Sequence, residues 1–221
     1  MFVAPRPIKF SDVLLSAEEE GLAIANDFLS KIVGRVDVTY EDGTSSHGSC
    51  FLFSSSFYVL TCARVVSKAS ALTVILQEFQ IPATVFFVNE ALDIALLHLD
   101  ESVIGASHHN LPYLKLGTQI IPGMSIFIGG YRMDRYFHVT KGSISNAEDL
   151  HAIKADCISD NGTSGGPAVG RLYGNLLGIV RGGFGASQIS TSLIPPSDIN
   201  LFFEEMRNVP DAPTIEFFKH F

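Results

Sequence analysis

The chain has 221 residues, enough for one large domain or two small ones that share an interface. Its hydrophobic content of 47% supplies a sizeable core, and no apolar run approaches the ~20 residues that cross a bilayer. The net charge of −8 argues against a nucleic acid or an anionic membrane as partner, because both would repel the protein.

The N-terminal segment does not have the form of a signal peptide, since Pro5 and Pro7 interrupt it and no apolar block follows. The three cysteines are an odd number, which favours reduced thiols over a disulfide framework. Residues 161–163 form an Asn-Gly-Thr glycosylation sequon, but a glycan there would cover the main motif described below. These features predict an intracellular, cytoplasmic location.

The first predicted element is a helix from about Ala17 to Ile32. Ser16 and Glu19 have capping-box spacing, and apolar residues recur with helical periodicity up to Ile32. After Gly34 the pattern changes to short apolar or alternating runs between polar turns. These runs are Val36–Tyr40, Cys50–Phe53, Phe57–Thr61, Leu72–Gln77, Ala83–Asn89 and Ile94–Leu99.

A looser stretch from Glu101 to Leu116 separates this group from a second one. A helix with Ser197 as N-cap follows that group, and residues 209–221 form a tail. Two groups of about six short strands predict an all-β sandwich or a pair of barrels. The strand-like runs of the second group are Ser125–Gly129, Phe137–Ser145, His151–Cys157, Leu176–Val180 and Gln188–Ile194.

The strongest motif is Asp-Asn-Gly-Thr-Ser-Gly-Gly-Pro at residues 160–167. Acyl transfer needs a serine that protrudes from a tight turn, flanked by backbone N–H groups that can bind an oxyanion. Glycines on both sides supply the unusual backbone angles. A glycine-rich turn without chemistry is the alternative, but the hairpin and strand that follow favour a nucleophile, Ser164.

This run resembles the nucleophile segment of trypsin-like serine proteases, especially the HtrA/Deg-like intracellular members. Residues 58–66 (Tyr-Val-Leu-Thr-Cys-Ala-Arg-Val-Val) resemble the family segment that ends in Leu-Thr-x-Ala-His-Val-Val, and residues 93–97 resemble its Asp-(Ile/Leu)-Ala-Leu-Leu element. The resemblance covers about Gly34 to Met206. It implies two six-stranded antiparallel β-barrels with an N-terminal and a C-terminal helix, no cofactor, and a peptide or protein as substrate or ligand.

On this basis the chain divides into five parts of one peptidase domain. They are a helical segment at 1–33, a first barrel at 34–105, a linker at 106–117, a second barrel at 118–196 and a helix with a tail at 197–221. No PDZ-like segment follows Met206, so the trimeric, PDZ-regulated assembly of HtrA proteases is not expected from this sequence.

The resemblance assigns the nucleophile to Ser164, the carboxylate that orients the base to Asp93, and the oxyanion hole to the N–H groups of Gly162 and Ser164. The general-base position carries Arg64 in place of histidine. A guanidinium keeps its proton at any accessible pH and cannot accept one from serine. We therefore expect a protease that is inactive or nearly so, with an Arg64–Asp93 ion pair capable of bidentate geometry.

The other histidines are weak substitutes for the missing base. His98 is predicted to be a partnered strand histidine, and His47 is predicted to lie in a turn. His108 and His109 fall in the linker, where two ligands without nearby acids do not indicate a metal site. His138, on a strand of the second barrel, is the least implausible substitute.

Four further positions are assigned to substrate binding by the resemblance: Ile158, Val180, Arg181 and Gly182. Ile158 takes the floor of the specificity pocket, which favours a small or medium apolar side chain there. The wall strand admits two registers, in which either Gly178 or Arg181 lies beside Asp93. Cys62 and Cys157 are predicted to be buried free cysteines.

Three hypotheses stay open for the function, and the weakest is a purely structural domain of a larger polypeptide. The first is a serine endopeptidase lineage disabled at position 64, either naturally or by an introduced substitution. The second is a pseudoprotease that holds an extended peptide, by strand addition beside Gly182 and Gly183, or that regulates a partner.

Overall fold

The structure of the protein is a computed structural model that describes residues 18–54, 57–104, 112–117, 120–147, 152–171, 174–184 and 190–208. None of the helices in these ranges is long and apolar enough to cross a membrane. The elements, in chain order, are α1 Glu18–Ile32, β1 Val33–Thr39, β2 Ser45–Leu52, β3 Tyr58–Thr61, α2 Ala63–Val66, β4 Ala71–Leu76, β5 Phe79–Asn89, β6 Ile94–Leu99, α3 Glu101–Ile104, β7 Ser125–Tyr131, β8 Phe137–Asn146, β9 Ile153–Ala155, β10 Pro167–Gly170, β11 Leu176–Phe184, β12 Ser190–Ile194 and α4 Pro196–Arg207.

The first six strands form a closed antiparallel barrel in the order β1-β2-β3-β6-β5-β4. Alternation along a strand sends every second side chain to the same face. In β4 this buries Leu72, Val74 and Leu76 in the barrel core, and the residues between them are more exposed. Strand β1 closes the barrel because it pairs with both β2 and β4.

Strands β7 to β12 form a second closed barrel in the order β10-β11-β12-β9-β8-β7. Its closure lies between β10 and β7, where Ala168 is opposite Ile128. The all-β prediction of two six-stranded antiparallel barrels, with a helix near each end, is confirmed. The strand pattern alone had allowed either a sandwich or a pair of barrels, and the structure has two closed barrels.

Helices α1 and α4 are each adjacent in sequence to one barrel and pack on the other. Helix α1 runs directly into β1 of the first barrel, but its Leu29 packs on β7, 3.3 Å from where a Cβ on Gly129 would lie. Helix α4 follows the second barrel and packs on the first. Its Phe203 stacks on Phe53 with ring centroids 5.1 Å apart. Both helices therefore stabilise the arrangement of the two barrels.

Some local predictions were wrong. Helix α4 begins at Pro196 with Pro195 as N-cap, two residues before the predicted cap at Ser197, because proline is preorganised for the first helical position. His47 lies within β2 and not in a turn. Strand β10, Pro167–Gly170, was not predicted, since all four residues are buried and show no alternation.

Other predictions concern residues outside the described ranges. They are the cap at Ser16, the linker histidines His108 and His109, the start of a strand at His151, and the tail at 209–221.

Candidate active site

The candidate site lies where the two barrels meet. Arg64 is on the short helix after β3, and Asp93 directly precedes β6. Strands β3 and β6 are antiparallel neighbours, so the last residue of β3 lies beside the first residues of β6. Ser164 comes from the turn before β10 in the second barrel, and the N–H of Ser49 in the first barrel donates to its carbonyl at 2.8 Å.

Arg64 and Asp93 form the ion pair expected from the sequence. The Nη1 of Arg64 lies 2.5 Å from Oδ2 of Asp93, and the main-chain N–H of Arg64 donates to Oδ1 at 3.1 Å. The main chain takes the second oxygen, so the side chain makes a single contact and not the fork-like pair. The Asp93 side chain is 15% exposed and that of Arg64 44%, so the carboxylate is the more buried partner.

The guanidinium also reaches the candidate nucleophile, Ser164. The Nη2 of Arg64 lies 3.4 Å from Oγ of Ser164, and the Ser164 hydroxyl donates to the carbonyl of Arg181 at 3.2 Å. One side chain therefore connects the carboxylate to the serine, as a general base would. It offers only donors, so the serine proton goes to a backbone carbonyl instead.

A second arginine lies beside the same carboxylate. The Nε of Arg181 is 3.8 Å from Oδ2 of Asp93, and its Nη2 donates to the carbonyl of Leu92 at 3.4 Å. Gly178 packs elsewhere, where a Cβ would lie 2.7 Å from the carbonyl oxygen of Ile194. Of the two registers left open by the sequence, the structure therefore has the one with Arg181 in the cleft.

The turn that carries Ser164 is held by hydrogen bonds from both barrels. The Ser49 hydroxyl donates to the carbonyl of Gly162 and accepts the N–H of Tyr131, each at 2.8 Å. The N–H of Gly165 donates to the carbonyl of Val180 at 2.8 Å. Within the described ranges, the N–H groups of Gly162 and Ser164 have no acceptor, so both are available to an anion.

Glycine is required at position 162 for two reasons. Its φ of +94° lies in a region that side chains disfavour. A Cβ there would also lie 2.8 Å from Nε2 of His47 and from the carbonyl oxygen of Tyr131. The same corner is braced by Arg132, whose Nε lies 2.9 Å from Oδ2 of Asp160. The loop that presents the candidate oxyanion hole is thus held by contacts with His47, Tyr131 and Arg132.

The described histidines do not replace the missing base. His47 hydrogen-bonds through Nε2 to the carbonyl of Arg132 at 2.8 Å. His98 lies five residues along from Asp93, about 16 Å at the rise of a strand, and contacts Tyr58 and Glu101. His138 pairs with Gly130 on β7, and burial together with nearby Arg132 lowers its pKa. None of the three is hydrogen-bonded to Ser164.

The remaining predicted binding residues differ in their surroundings. Val180 is fully buried, and Gly182 faces the gap between Ser164 and Arg64. Ile158 is 64% exposed. Its carbonyl accepts a hydrogen bond from the Thr140 hydroxyl, which fixes the backbone here and leaves the side chain at the surface.

The cysteines are buried and free, as the sequence predicts for Cys62 and Cys157. Burial raises the pKa of the Cys62 thiol to about 12, an effect that the neighbouring Asp93 carboxylate reinforces. The thiol therefore keeps its proton at neutral pH, and the thiolate is the form that acts as a nucleophile. Ser164 therefore remains the candidate nucleophile beside Arg64.

A family model for the trypsin-like peptidase domain matches residues 48–179, well over half of the chain. The chain belongs to the trypsin-like peptidase family. The match contains all three segments that meet in the cleft, and it confirms the family predicted from the sequence motifs.

The similar proteins are HtrA-type proteases. The rat "Serine protease HTR4" is 30% identical over 159 residues, and the mouse "Serine protease HTRA4" is 29% identical over 159 residues. Each match covers 66% of this trypsin-like chain but only 31% and 32% of the relatives. The matched part thus spans about a third of the relatives' own length.

Solved structures show the same fold. The serine endoprotease from Yersinia pestis superposes with a TM-score of 0.73 at 22% identity, over 86% of this chain and 67% of that one. The HtrA-type protease AlgW, solved with a tripeptide, gives a TM-score of 0.70 at 28% identity, over 85% and 63%. The double barrel of this trypsin-like domain is therefore shared with working proteases.

Sequence reasoning missed Ser49 as a site residue. The only local signal is a polar residue directly before the buried Cys50 in a strand, and such residues are common. Its partners at Gly162 and Tyr131 are distant in sequence, so the pattern gave no indication of them.

We expect Ser49→Ala to lower the free energy of unfolding by about 1–3 kcal/mol, because a donor and an acceptor in a half-buried position lose their partner. Urea denaturation measures the change. Ser145→Ala is the matched control, since Ser145 is exposed on β8, and it should stay within about 0.5 kcal/mol. Equal stability of the two variants would contradict the bridging role of Ser49.

Proposed function

We propose that this chain is a serine-endopeptidase-type domain that does not cleave peptides in its present form and that binds a peptide or protein in its cleft. The observation that carries the proposal is the position of the Arg64 guanidinium between Oδ2 of Asp93 and Oγ of Ser164. It fills the place of the proton shuttle with a group that cannot accept a proton.

The chemical consequence follows from the first step of peptide hydrolysis. Attack of a serine oxygen on a carbonyl requires that its proton leave as the new bond forms. Here the hydroxyl proton points to the carbonyl of Arg181, which is too weak a base to take it. In serine proteases with a complete triad, loss of the histidine lowers kcat by about 10⁶, and an acceleration of about 10³–10⁴ over water survives from the oxyanion hole and binding.

An open strand edge supports the binding part of the proposal. Strand β10 pairs with β11 only from Leu176 to Ile179. Beyond Val180, Gly182 and Gly183 pair with β12 on one side, and no described strand covers the other side. An extended peptide can add to such an edge through main-chain hydrogen bonds. The tripeptide in the AlgW structure supports a peptide as the kind of ligand.

We expect a fluorophosphonate probe to leave this protein unlabelled under conditions in which trypsin is labelled to completion. The probe requires an activated serine, and Ser164 has no base. Intact-mass spectrometry measures the label, and Ser164→Ala is the control for reaction at other sites. Stoichiometric labelling that disappears in Ser164→Ala would overturn the proposed lack of activity.

A further inference from the structure

Two positively charged side chains lie at the cleft, although the chain as a whole is negative. Two guanidinium groups, Arg64 and Arg181, share the single carboxylate of Asp93. The nearest other described acid on the nucleophile loop, Asp160, is paired with Arg132. Two guanidinium groups therefore lie at the cleft of a chain whose net charge is −8.

The two arginines are not equivalent. Arg181 is the less exposed, at 27%, and its Nη2 is engaged with the carbonyl of Leu92. Arg64 is 44% exposed, and its Nη2 points to Ser164 at a distance of 3.4 Å, longer than a strong charged hydrogen bond. The positively charged group that faces solvent next to the serine is therefore Nη2 of Arg64.

The same place offers uncharged donors and free space. The N–H groups of Gly162 and Ser164 have no acceptor among the described residues. Gly182 leaves the gap open, because a Cβ on it would lie 3.7 Å from Oγ of Ser164 and 3.8 Å from Nη2 of Arg64. A carboxylate has two oxygens with about four lone pairs, which suits two N–H groups and one guanidinium nitrogen.

We propose that the cleft binds the C-terminal carboxylate of a peptide, with one oxygen on the N–H groups of Gly162 and Ser164 and the other on Nη2 of Arg64. This rests on the proposed function, in which the cleft binds a peptide without cleaving it. A peptide carbonyl within a chain is neutral and gains little from the arginine charge, whereas a terminal carboxylate forms a charge-assisted hydrogen bond with it. The substitution at position 64 thus changes the preferred ligand from a continuous chain to a chain end.

The test uses two hexapeptide libraries that end in Ala, Val or Leu, one as free acids and one as C-terminal amides. The libraries are mixed in equal amounts and passed over the immobilised protein, and the retained peptides are quantified by mass spectrometry. We expect the acids to be retained at least about tenfold over the amides at low salt. The preference should fall to about one in Arg64→Gln and in 1 M NaCl.

Arg207→Gln is the matched control, because it makes the same change in net charge at an exposed residue of α4 and should keep the preference. Equal retention of acids and amides, retention of neither, or a preference that survives Arg64→Gln would each overturn the proposal. Preferential retention of amides that contain Asp or Glu would also overturn it, since the anion would then be a side chain. The proposed lack of catalysis is tested separately by probe labelling, so failure of one proposal is distinguishable from failure of the other.

Discussion

Arg64→His is expected to give this protein measurable serine reactivity, and Arg64→His combined with Arg181→Ser is expected to give much more. A histidine at position 64 would place its Nδ1–H on Oδ2 of Asp93, the oxygen that Arg64 now occupies, and turn Nε2 towards Ser164. The main-chain contact from residue 64 to Oδ1 remains available to keep the carboxylate in place.

The second substitution matters because Arg181 lies 3.8 Å from the same oxygen. Its positive charge disfavours the imidazolium that forms when histidine takes the serine proton, and it competes for the carboxylate. Since loss of the base lowers kcat by about 10⁶, we expect the double variant to label with fluorophosphonate and to hydrolyse casein at least about 10³-fold faster than the parent.

Arg64→Gln is the control for this experiment, because it removes the charge without supplying a base. It should stay as slow as the parent in both assays. A double variant that folds, as judged by circular dichroism, but reacts no faster than Arg64→Gln would show that the cleft lacks more than its base. That outcome would favour a domain whose whole site serves binding.

Phe202→Ala is expected to lower the free energy of unfolding by about 3–5 kcal/mol, the range for a large aromatic removed from a core. Phe202 is fully buried on α4, with its ring centroid 5.1 Å from that of Phe87 and 5.3 Å from that of Phe203. The substitution leaves a cavity between the helix and the first barrel. Because α4 follows the last strand of the second barrel, the packing of the barrels weakens as well.

Denaturant titration followed by fluorescence or circular dichroism measures this loss. Leu201→Ala is the neighbouring control, since Leu201 is 41% exposed on the same helix and should change stability by about 1 kcal/mol at most. If both variants unfold at the same denaturant concentration, then α4 does not contribute to the core as its packing indicates.

Much of the fold was predictable because it depends on local periodicity. Strand β6 is a short apolar run that the sequence predicted with its observed ends, Ile94 and Leu99, because nearly the whole strand is buried. Strand β10 was missed because, besides lacking alternation, it has only four residues and includes a proline and a glycine, which are typical of turns. The short helix that bears Arg64 has four residues, too few for a helical period to appear.

The sequence by itself was enough to predict Ser164 as the nucleophile and to place Arg64 at the position of the general base. Ser164 is marked by glycines on both sides, and Gly162 and Gly165 adopt positive φ angles that other residues disfavour. Arg64 is marked by a local motif in which one residue differs from the family pattern. Only the tertiary structure decided that Arg181 shares Asp93 and that Ser49 braces Gly162. Arg181 and Asp93 are 88 positions apart in the chain, and Ser49 and Gly162 are 113 positions apart. The alternation of side chains along a strand does not specify which residues of distant strands lie opposite each other, so these contacts are defined only when both barrels are closed.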